Sequence, residues 1–296
     1  MTIRHLRVFL TVYRTENVTK AAELLYMTQP AVSRCIAELE AHYGTHFFER
    51  LGRRLSVTEA GKEFYHQALH IVDSFERMEC GMMSWNHCGI LRIGASITLG
   101  TFLLPEAMKQ FRKAYPDVRL KAMVANGRSI QEALLDNRLD FAVIEGGGHN
   151  ERLKAEVLGN DRLVPVLPPD DPRNGGEYSF SELASSALLL RENGSVGRSF
   201  LNHLFSLHNL SVEPVMESVS TQAILQAVHA GLGISFLPER LVKAGLQDGF
   251  VGTCRLTDES LRRENYLVYH KNKYHAKPAQ EMMLLLHRLA EDASLY

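Results

Sequence analysis

The first 45 residues carry apolar positions at the spacing of amphipathic helices. One set predicts a helix near the N-terminus, and another predicts a helix that begins after Thr28. The apolar residues of the two helices are Leu6, Phe9, Leu10 and Tyr13, then Val32, Ile36, Leu39 and Tyr43. Because each set lies on one helical face, we expect both faces to close a small core. The Thr28 hydroxyl is expected to cap the second helix, and Pro30 is tolerated in its first turn.

The opposite face of the second helix is small and polar. Pro30, Ser33, Arg34 and Ala37 point outward on it, and Gln29 stands at its tip. Glutamine can pair bidentately with adenine and arginine with guanine, whereas serine can donate to a base edge or a phosphate. This pattern is typical of the recognition helix of a helix-turn-helix. A pair of short helices with no DNA role is the alternative.

A short basic hairpin, FFERLGRRLSVT, follows the second helix. Gly52 allows a tight turn between two extended runs, and Arg50, Arg53 and Arg54 cluster around it. Such a cluster is expected of a wing laid against DNA phosphates. The hairpin therefore favours the DNA-binding interpretation over the alternative.

A long helix is predicted from Thr58 to about Trp85. Its apolar positions are spaced alternately four and three apart, at Phe64, Ala68, Ile71, Phe75, Met78 and Met82. A heptad seam normally requires a partner helix, which favours a dimerising coiled coil. The alternative is a long helix packed on its own domain. Residues 86–89 are interpreted as a hinge.

Beyond the hinge, strands and helices alternate, which predicts an α/β fold with parallel strands and crossover helices. The predicted helices include 98–115 and 129–137. The predicted strands are LRIGAS (91–96), VRLKAMVA (118–125), LDFAVIEG (139–146), RLVPVLPP (162–169), SALLLRE (186–192), GISFLPE (233–239) and ENYLVYHK (264–271).

These motifs resemble the LysR-type transcriptional regulators. The resemblance rests on the stretch from Ala21 through TQPAVSR and on FFERLGRRLSVTEAG, and it continues to the C-terminus. It implies a multidomain chain: an all-α winged helix-turn-helix (1–58), a dimerising linker helix and hinge (59–88), and an α/β effector domain (89–296). The effector domain would comprise two Rossmann-like subdomains resembling periplasmic binding proteins, with subdomain I at about 89–161 and 266–296 and subdomain II at about 162–265.

Hydroxyl residues recur where helices of the α/β region begin. In an α/β fold, ligands collect at the carboxyl ends of the strands, where helix N-termini offer free N–H groups that suit an anion. The candidate effector-binding residues are Ser96, Thr98, Ser129, Glu145, Ser195, Ser220 and Thr221. The resemblance implies that residues matching Ser96, Thr98, Ser129, Ser195 and Ser220 line the effector cleft. Each hydroxyl can instead be read as an ordinary N-cap.

The run Gly194-Ser195-Val196-Gly197-Arg198 departs from the family's frequent Gly-Ser-Gly-Thr-Arg. It loses a threonine hydroxyl at Gly197 and gains bulk at Val196. Arg128, Arg191 and Arg198 are candidates for the counter-charge of an anion, which the sequence does not rank. The alternative is that they are solvated surface residues. The stretch SITLGTFLLPEAMKQFRKAYPDV is similar to regulators of inorganic-anion and carbon assimilation. The predicted effector is therefore a small carboxylate or oxyanion.

Composition fits this interpretation without proving it. The 296 residues carry a net charge of −1, and the four cysteines show no C-x-x-C spacing, so neither a zinc site nor a disulfide framework is expected. No signal peptide or membrane-length apolar run is found, which predicts a cytoplasmic protein. The sequence also lacks a P-loop, a G-x-G-x-x-G, an H-E-x-x-H and a G-x-S-x-G motif. No enzymatic activity, metal or cofactor is expected.

The combined prediction is a DNA-binding regulator of transcription whose partners are double-stranded promoter DNA and a small effector. It would act as a dimer or a tetramer, with the tetramer favoured, and RNA polymerase is a candidate partner. The alternatives are a small-molecule-binding protein or an enzyme with an appended DNA-binding module.

Overall fold

The computed structural model of the chain describes residues 1–51, 54–83, 89–146 and 150–291. The side chains of 50, 51, 54 and 77–83 are outside this description. The chain divides into two compact units. Residues 1–89, with 135–137 and 272–274, form the first unit, and the rest of the chain forms the second.

The first unit is a winged helix-turn-helix. Its elements are α1 (Ile3–Thr15), α2 (Val18–Leu24), α3 (Gln29–Tyr43), β1 (Phe48–Leu51), β2 (Arg54–Val57) and α4 (Glu59–Met83). The predicted inward positions Leu6, Phe9 and Leu10 of α1 are buried, together with Val32, Ile36 and Leu39 of α3. Tyr43 is different: it is 45% exposed, although its ring lies 5.1 Å from that of Phe64.

The start of α3 differs from the predicted one in a detail. Thr28 occupies the N-cap position, but its hydroxyl makes no capping hydrogen bond, so the prediction of a side-chain cap is wrong. The end of α3 and the start of the wing are held by a glycine and by side-chain hydrogen bonds. Gly44 ends the helix in the left-handed region (φ 65°), and a Glu40 carboxylate oxygen accepts the backbone N–H groups of Phe47 at 2.8 Å and Phe48 at 3.2 Å. The hairpin therefore begins from a defined point.

The first half of α4 belongs to the core of this unit. Tyr65, Ala68, Leu69 and Val72 are at most 7% exposed and pack with the residues of α1 and α3. Ala68, predicted in the dimer seam, is thus taken by the unit's own core, because the helix turns that face inward. Ile71, from the same predicted seam, is 49% exposed. Met78 and Met82 have side chains outside the described part of the chain.

The second unit is built on a six-stranded sheet of order β10-β6-β12-β5-β3-β4. Its strands are β3 (Ile90–Ala95), β4 (Arg119–Val124), β5 (Phe141–Glu145), β6 (Leu153–Val166), β10 (Ser235–Pro238) and β12 (Arg262–His270). Smaller two-stranded sheets pair β7 (Glu177–Tyr178) with β11 (Arg255–Leu256) and β8 (Leu189–Arg191) with β9 (Met216–Ser218).

The prediction of a parallel sheet holds for only part of this unit. Strands β3, β4 and β5 are parallel, whereas β12 runs antiparallel to both β5 and β6, and β10 runs antiparallel to β6. Two long strands explain the difference. Strand β6 passes through Asp161 and β12 passes through Asn265, the two positions where the chain was predicted to change subdomain.

The helices of the second unit are interspersed with these strands in the sequence, and the last helix follows β12. They are α5 (Ile97–Phe102), α6 (Leu104–Ala114), α7 (Gly127–Leu135), α8 (Phe180–Ala184), α9 (Val196–Leu207), α10 (Thr221–His229), α11 (Glu239–Gln247) and α12 (Lys277–Glu291). The helix predicted at 98–115 is in fact α5 and α6, and Pro105, which cannot donate a backbone hydrogen bond, lies in the first turn of α6.

Separate hydrophobic clusters form the core of this unit. One includes Ile93, Phe111 and Met282, and the others include Phe180 and Ile224. This mixed α/β architecture, following a winged helix-turn-helix, confirms the predicted fold class.

Candidate functional site

The exposed face of α3 carries the predicted DNA-reading side chains. Thr28, Gln29 and Pro30 are exposed, Ser33 is half-buried and the Arg34 side chain is 81% exposed. The Gln29 amide donates to the Ser33 hydroxyl at 3.0 Å, so two of these side chains already lie together. The opposite face is held in the core, which leaves this polar face available to a partner.

Arg34 is held by a carboxylate on its own helix. Its Nε donates to Glu38 at 2.8 Å, and His5 of α1 lies 3.0 Å from the other oxygen of the same carboxylate. These hydrogen bonds, from His5 and then Arg34, hold the pKa of Glu38 below its ordinary value. A base or phosphate that binds Arg34 through its Nε must therefore replace Glu38.

The wing is described by its backbone. Strands β1 and β2 are antiparallel, and Leu51 pairs with Arg54. Arg53 lies outside the described residues, and so do the side chains of Arg50 and Arg54. The predicted phosphate contacts of these three arginines are therefore not located.

Tyr26 is a candidate that the sequence reasoning missed. It lies in the turn between α2 and α3, is 99% exposed, and adopts a left-handed backbone conformation with φ 52°. Non-glycine residues rarely adopt such a conformation. An exposed aromatic ring two residues before Thr28 stands beside the tip of the recognition helix. The sequence gives little sign of this exposure, because Leu25 and Met27 on either side of Tyr26 are apolar.

A polar cavity lies in the second unit, beside the N-terminus of α9. Of the predicted effector residues, the cavity lining includes Ser96, Thr98, Glu145 and Ser195. Ser129, Ser220 and Thr221 are not part of this lining. Ser129 lies within the first turn of α7, where its backbone N–H donates to Asn126. The fold thus brings four of the seven predicted effector residues to this cavity and leaves the other three outside its lining.

The hydroxyl groups differ in whether they cap a helix. Ser220 accepts the backbone N–H of Ala223 at 3.2 Å and is an ordinary N-cap. Ser96 and Ser195 also occupy N-cap positions, but neither side chain makes a capping hydrogen bond. The Ser96 oxygen is buried and has no hydrogen-bond partner among the described residues. Because a buried unpaired hydroxyl costs free energy, this atom indicates a place for a polar ligand or water.

Three arginines line the cavity, and each is paired with a carboxylate. Arg191 binds Glu192 through two nitrogens, and Arg198 contacts Glu217 at 2.9 Å. Arg263 binds Asp161 through two hydrogen bonds of 2.6 Å and lies 3.9 Å from Glu145. Burial lowers the pKa of Arg263, but the hydrogen bonds to Asp161 and the negative charges of Glu145 and Asp161 together outweigh burial and raise this pKa overall. The cavity therefore offers many donors without a net positive charge.

The sequence reasoning placed two of these arginines and missed the third. Arg191 and Arg198 were predicted as counter-charges, whereas Arg263 was not. Arg128, the other predicted cation, is exposed, and its backbone N–H donates to the carbonyl of Gly194 at 3.3 Å. Thr221, although outside the lining, accepts a long hydrogen bond of 3.4 Å from Arg191.

Neither a metal site nor a membrane span emerges from the part of the chain that the structure describes. Within it, no group of three or more histidine, cysteine, aspartate or glutamate side chains is arranged to hold a metal ion. Among the same residues, no helix is both long and apolar enough to cross a membrane.

Comparison with known proteins identifies both units. Residues 3–62 match the bacterial regulatory helix-turn-helix protein, lysR family, and residues 86–291 match the LysR substrate binding domain. The chain is 32% identical to the uncharacterized HTH-type transcriptional regulator YeiE of Escherichia coli over 274 residues, which is 93% of each protein. It is 33% identical to the RuBisCO operon transcriptional regulator of Allochromatium vinosum, covering 92% of this chain and 91% of that one.

Solved structures agree with this assignment. Full-length BenM aligns with a TM-score of 0.59 at 25% identity, covering 98% of this chain and 96% of BenM. Full-length OxyR from Pseudomonas aeruginosa shares the fold, with a TM-score of 0.71 at 21% identity over 100% of this chain and 96% of OxyR. The matched families and relatives are regulators rather than enzymes. The chain belongs to the LysR family of transcriptional regulators.

Proposed function

We propose that the chain reads promoter DNA through Gln29, Ser33 and Arg34, with Thr28 and Pro30 positioning the helix against the DNA. The observation that carries this proposal is the exposed polar face of α3, whose opposite face is fixed in the core. Glutamine and arginine match adenine and guanine in the major groove. Selection of bound duplexes from a random library, followed by fluorescence anisotropy, tests it. Base preferences unchanged by substitution at all three positions would contradict it.

Phosphate contacts complete the DNA interface in this proposal. Arg50, Arg53 and Arg54 of the wing supply cations that bind phosphates. At the N-terminal end of α3, Tyr26 either packs its ring against the DNA backbone or donates its hydroxyl to a phosphate. Arginine and tyrosine side chains are both common phosphate ligands. Tyr26→Phe separates the two roles of the ring, because it removes the hydroxyl and keeps the aromatic surface.

A small anion is proposed as the effector, bound in the cavity beside α9. The first N–H groups of a helix have no partner within it and carry partial positive charge. The unpartnered Ser96 hydroxyl is an independent sign that the cavity holds a polar ligand. Since the three arginines are already paired, selectivity would come from directed N–H and O–H donors rather than from net charge.

The effector proposal is tested by thermal shift of the full chain. Sodium formate, sulfate and phosphate are added at constant ionic strength, with sodium chloride as the control. A ligand present at a hundredfold excess over its Kd stabilises the folded chain by about 2.7 kcal/mol. Shifts seen with one or two anions above the chloride control support the proposal. Stabilisation by neutral polar molecules alone would assign the cavity to a different class of effector.

Coupling between effector and DNA requires an oligomer, for which we propose a dimer or a tetramer. Two copies joined through α4 would present two recognition helices to a two-fold operator. Effector-dependent closure of the α/β unit would then change the spacing of the recognition helices and the DNA bend. A regulator of this kind acts in the cytoplasm and would contact RNA polymerase at the promoter.

A further inference from the structure

The side chain of Val196 lies against two glycines from other elements of the second unit. Val196 is the first residue of α9, Gly127 is the first residue of α7, and Gly146 follows β5. A Cβ atom placed on Gly127 would lie 2.5 Å from one Val196 methyl, and one on Gly146 would lie 2.7 Å from the other. Real Cβ atoms essentially never approach another atom within 3.0 Å. Neither glycine can therefore gain a side chain while Val196 keeps its place.

The cavity that remains beside Val196 is small. Its volume is about 20 Å³. A cavity needs roughly 10–15 Å³ of such volume to hold a single water molecule. Ser96, Thr98, Ser195 and Arg263 all line this space, so the polar donors converge on a region with room for few atoms.

Gly197, the residue after Val196, is small where its neighbour is large. A Cβ atom on Gly197 would lie 3.2 Å from a terminal nitrogen of Arg263. The absence of a side chain at 197 thus leaves room for the guanidinium, while the bulk at 196 occupies the space above the two glycines. Adjacent positions of this run therefore carry a large and a small residue: Val196 packs against two glycines, and Gly197 packs against the large side chain of Arg263.

We propose that Val196 is a steric stop that limits the effector to an oxyanion or carboxylate of a few heavy atoms and excludes aromatic or branched anions. This inference rests on the proposed function of the cavity as an anion-binding effector site. The two Val196 methyl groups fill the space between α9 and the glycines Gly127 and Gly146, so a bulky ligand has no position among the Ser96, Ser195 and Arg263 donors.

The steric part is tested without any ligand by a double-mutant cycle. Gly127→Ala is suitable because Gly127 opens a helix and its φ is not positive, so alanine is compatible with the backbone. In the wild-type chain we expect this change to lower the Tm by roughly 2–8 °C, as overpacking does. In a Val196→Ala background the nearest side-chain atom would be the Cβ at 3.9 Å, and Gly127→Ala should then be nearly neutral. Equal losses in both backgrounds would overturn the steric stop.

The ligand part uses sodium formate and sodium sulfate as small probes and sodium benzoate and sodium citrate as large ones. We expect Val196→Ala to strengthen benzoate binding to the full chain by about tenfold or more, the usual effect of a methylene-sized change in a pocket. Formate binding should change by less. Val196→Ile, which keeps both branches of the side chain and adds no polar atom, is the control and should bind benzoate no better than the wild type does.

The outcomes separate this inference from the effector proposal. Wild-type chain that binds benzoate as tightly as formate, or Val196→Ala that gains nothing for benzoate, overturns the size limit. Coupling between positions 127 and 196 together with no response to any anion supports the steric stop and overturns the anion effector.

Discussion

The Arg34 guanidinium and the Glu38 carboxylate lie one turn apart on α3 and form a hydrogen bond of 2.8 Å. Arg34 is the most direct candidate for reading a base, so this bond competes with DNA. We expect Arg34→Ala to weaken binding to a selected duplex by about 1–3 kcal/mol and to relax the preference at one base position. Fluorescence anisotropy against a set of single-base variants measures both effects. An equal loss for every variant would show that Arg34 holds only a phosphate.

The same pair predicts that Glu38→Gln strengthens DNA binding. The substitution removes the negative charge that holds the Arg34 Nε, so Arg34 should bind DNA more readily and the affinity should rise. Glu63→Gln on α4 changes the net charge equally and is the control. Equal gains from the two variants would assign the effect to overall charge rather than to the release of Arg34.

Wing contacts are expected to appear in the salt dependence of binding. Each phosphate neutralised by a cation contributes a slope of about 0.9 in a plot of log K against log salt concentration. Arg53→Ala should therefore reduce the slope by about one, whereas Glu38→Gln should not reduce it. Titrations between low and moderate salt measure the slopes. A slope unchanged by Arg53→Ala would exclude this residue from the phosphate contacts.

Dimerisation through α4 is tested at Ile71, which is 49% exposed although it belongs to the apolar seam. Ile71→Glu leaves the unit's own core intact but places a charge where a second helix would pack. We expect it to dissociate the dimer in sedimentation velocity experiments without loss of helicity. Leu24→Glu, at a leucine of α2 that is 60% exposed, should leave the association unchanged. An intact dimer in Ile71→Glu would rule out this seam; the same test at the half-buried Phe75 would also disturb the local packing.

Local patterns predicted much of the fold, and contacts between distant parts of the chain explain what they missed. The start of α3 followed from apolar spacing and from Pro30 in its first turn. Arg263 could not be placed in the cavity from sequence, because its Asp161 partner lies 102 positions away and the two meet only through the pairing of β6 and β12. In the same way, Ser96 and Ser220 look alike in sequence, yet only Ser220 caps its helix.

The loop at 170–177 is expected to give the second unit part of its stability at neutral pH. Hydrogen bonds from the Arg173 side chain hold the pKa of Asp171 below its ordinary 3.8. A lowered folded-state pKa means that this contribution is present above about pH 4 and is lost as the pH falls through the folded value. Asp171→Asn should therefore lower the Tm at pH 6, and the difference from wild type should shrink on acidification. Asp170→Asn, at the exposed neighbour, is the control. A difference that does not vary with pH would mean that charge is not the cause.

Ser96 and Ser220 are expected to respond in opposite ways to the same substitution. Ser220→Ala removes an N-cap and should lower the free energy of unfolding by about 0.5–2 kcal/mol, with anion binding retained. Ser96→Ala removes a buried hydroxyl that has no partner among the described residues, so the ligand-free chain should keep its stability or gain some. The same variant should lose anion binding, because the unpaired hydroxyl is a donor to the proposed ligand. Chemical denaturation and thermal shift with and without the anion measure the two quantities. Loss of stability in Ser96→Ala with unchanged anion binding would make Ser96 a structural residue and remove it from the effector site.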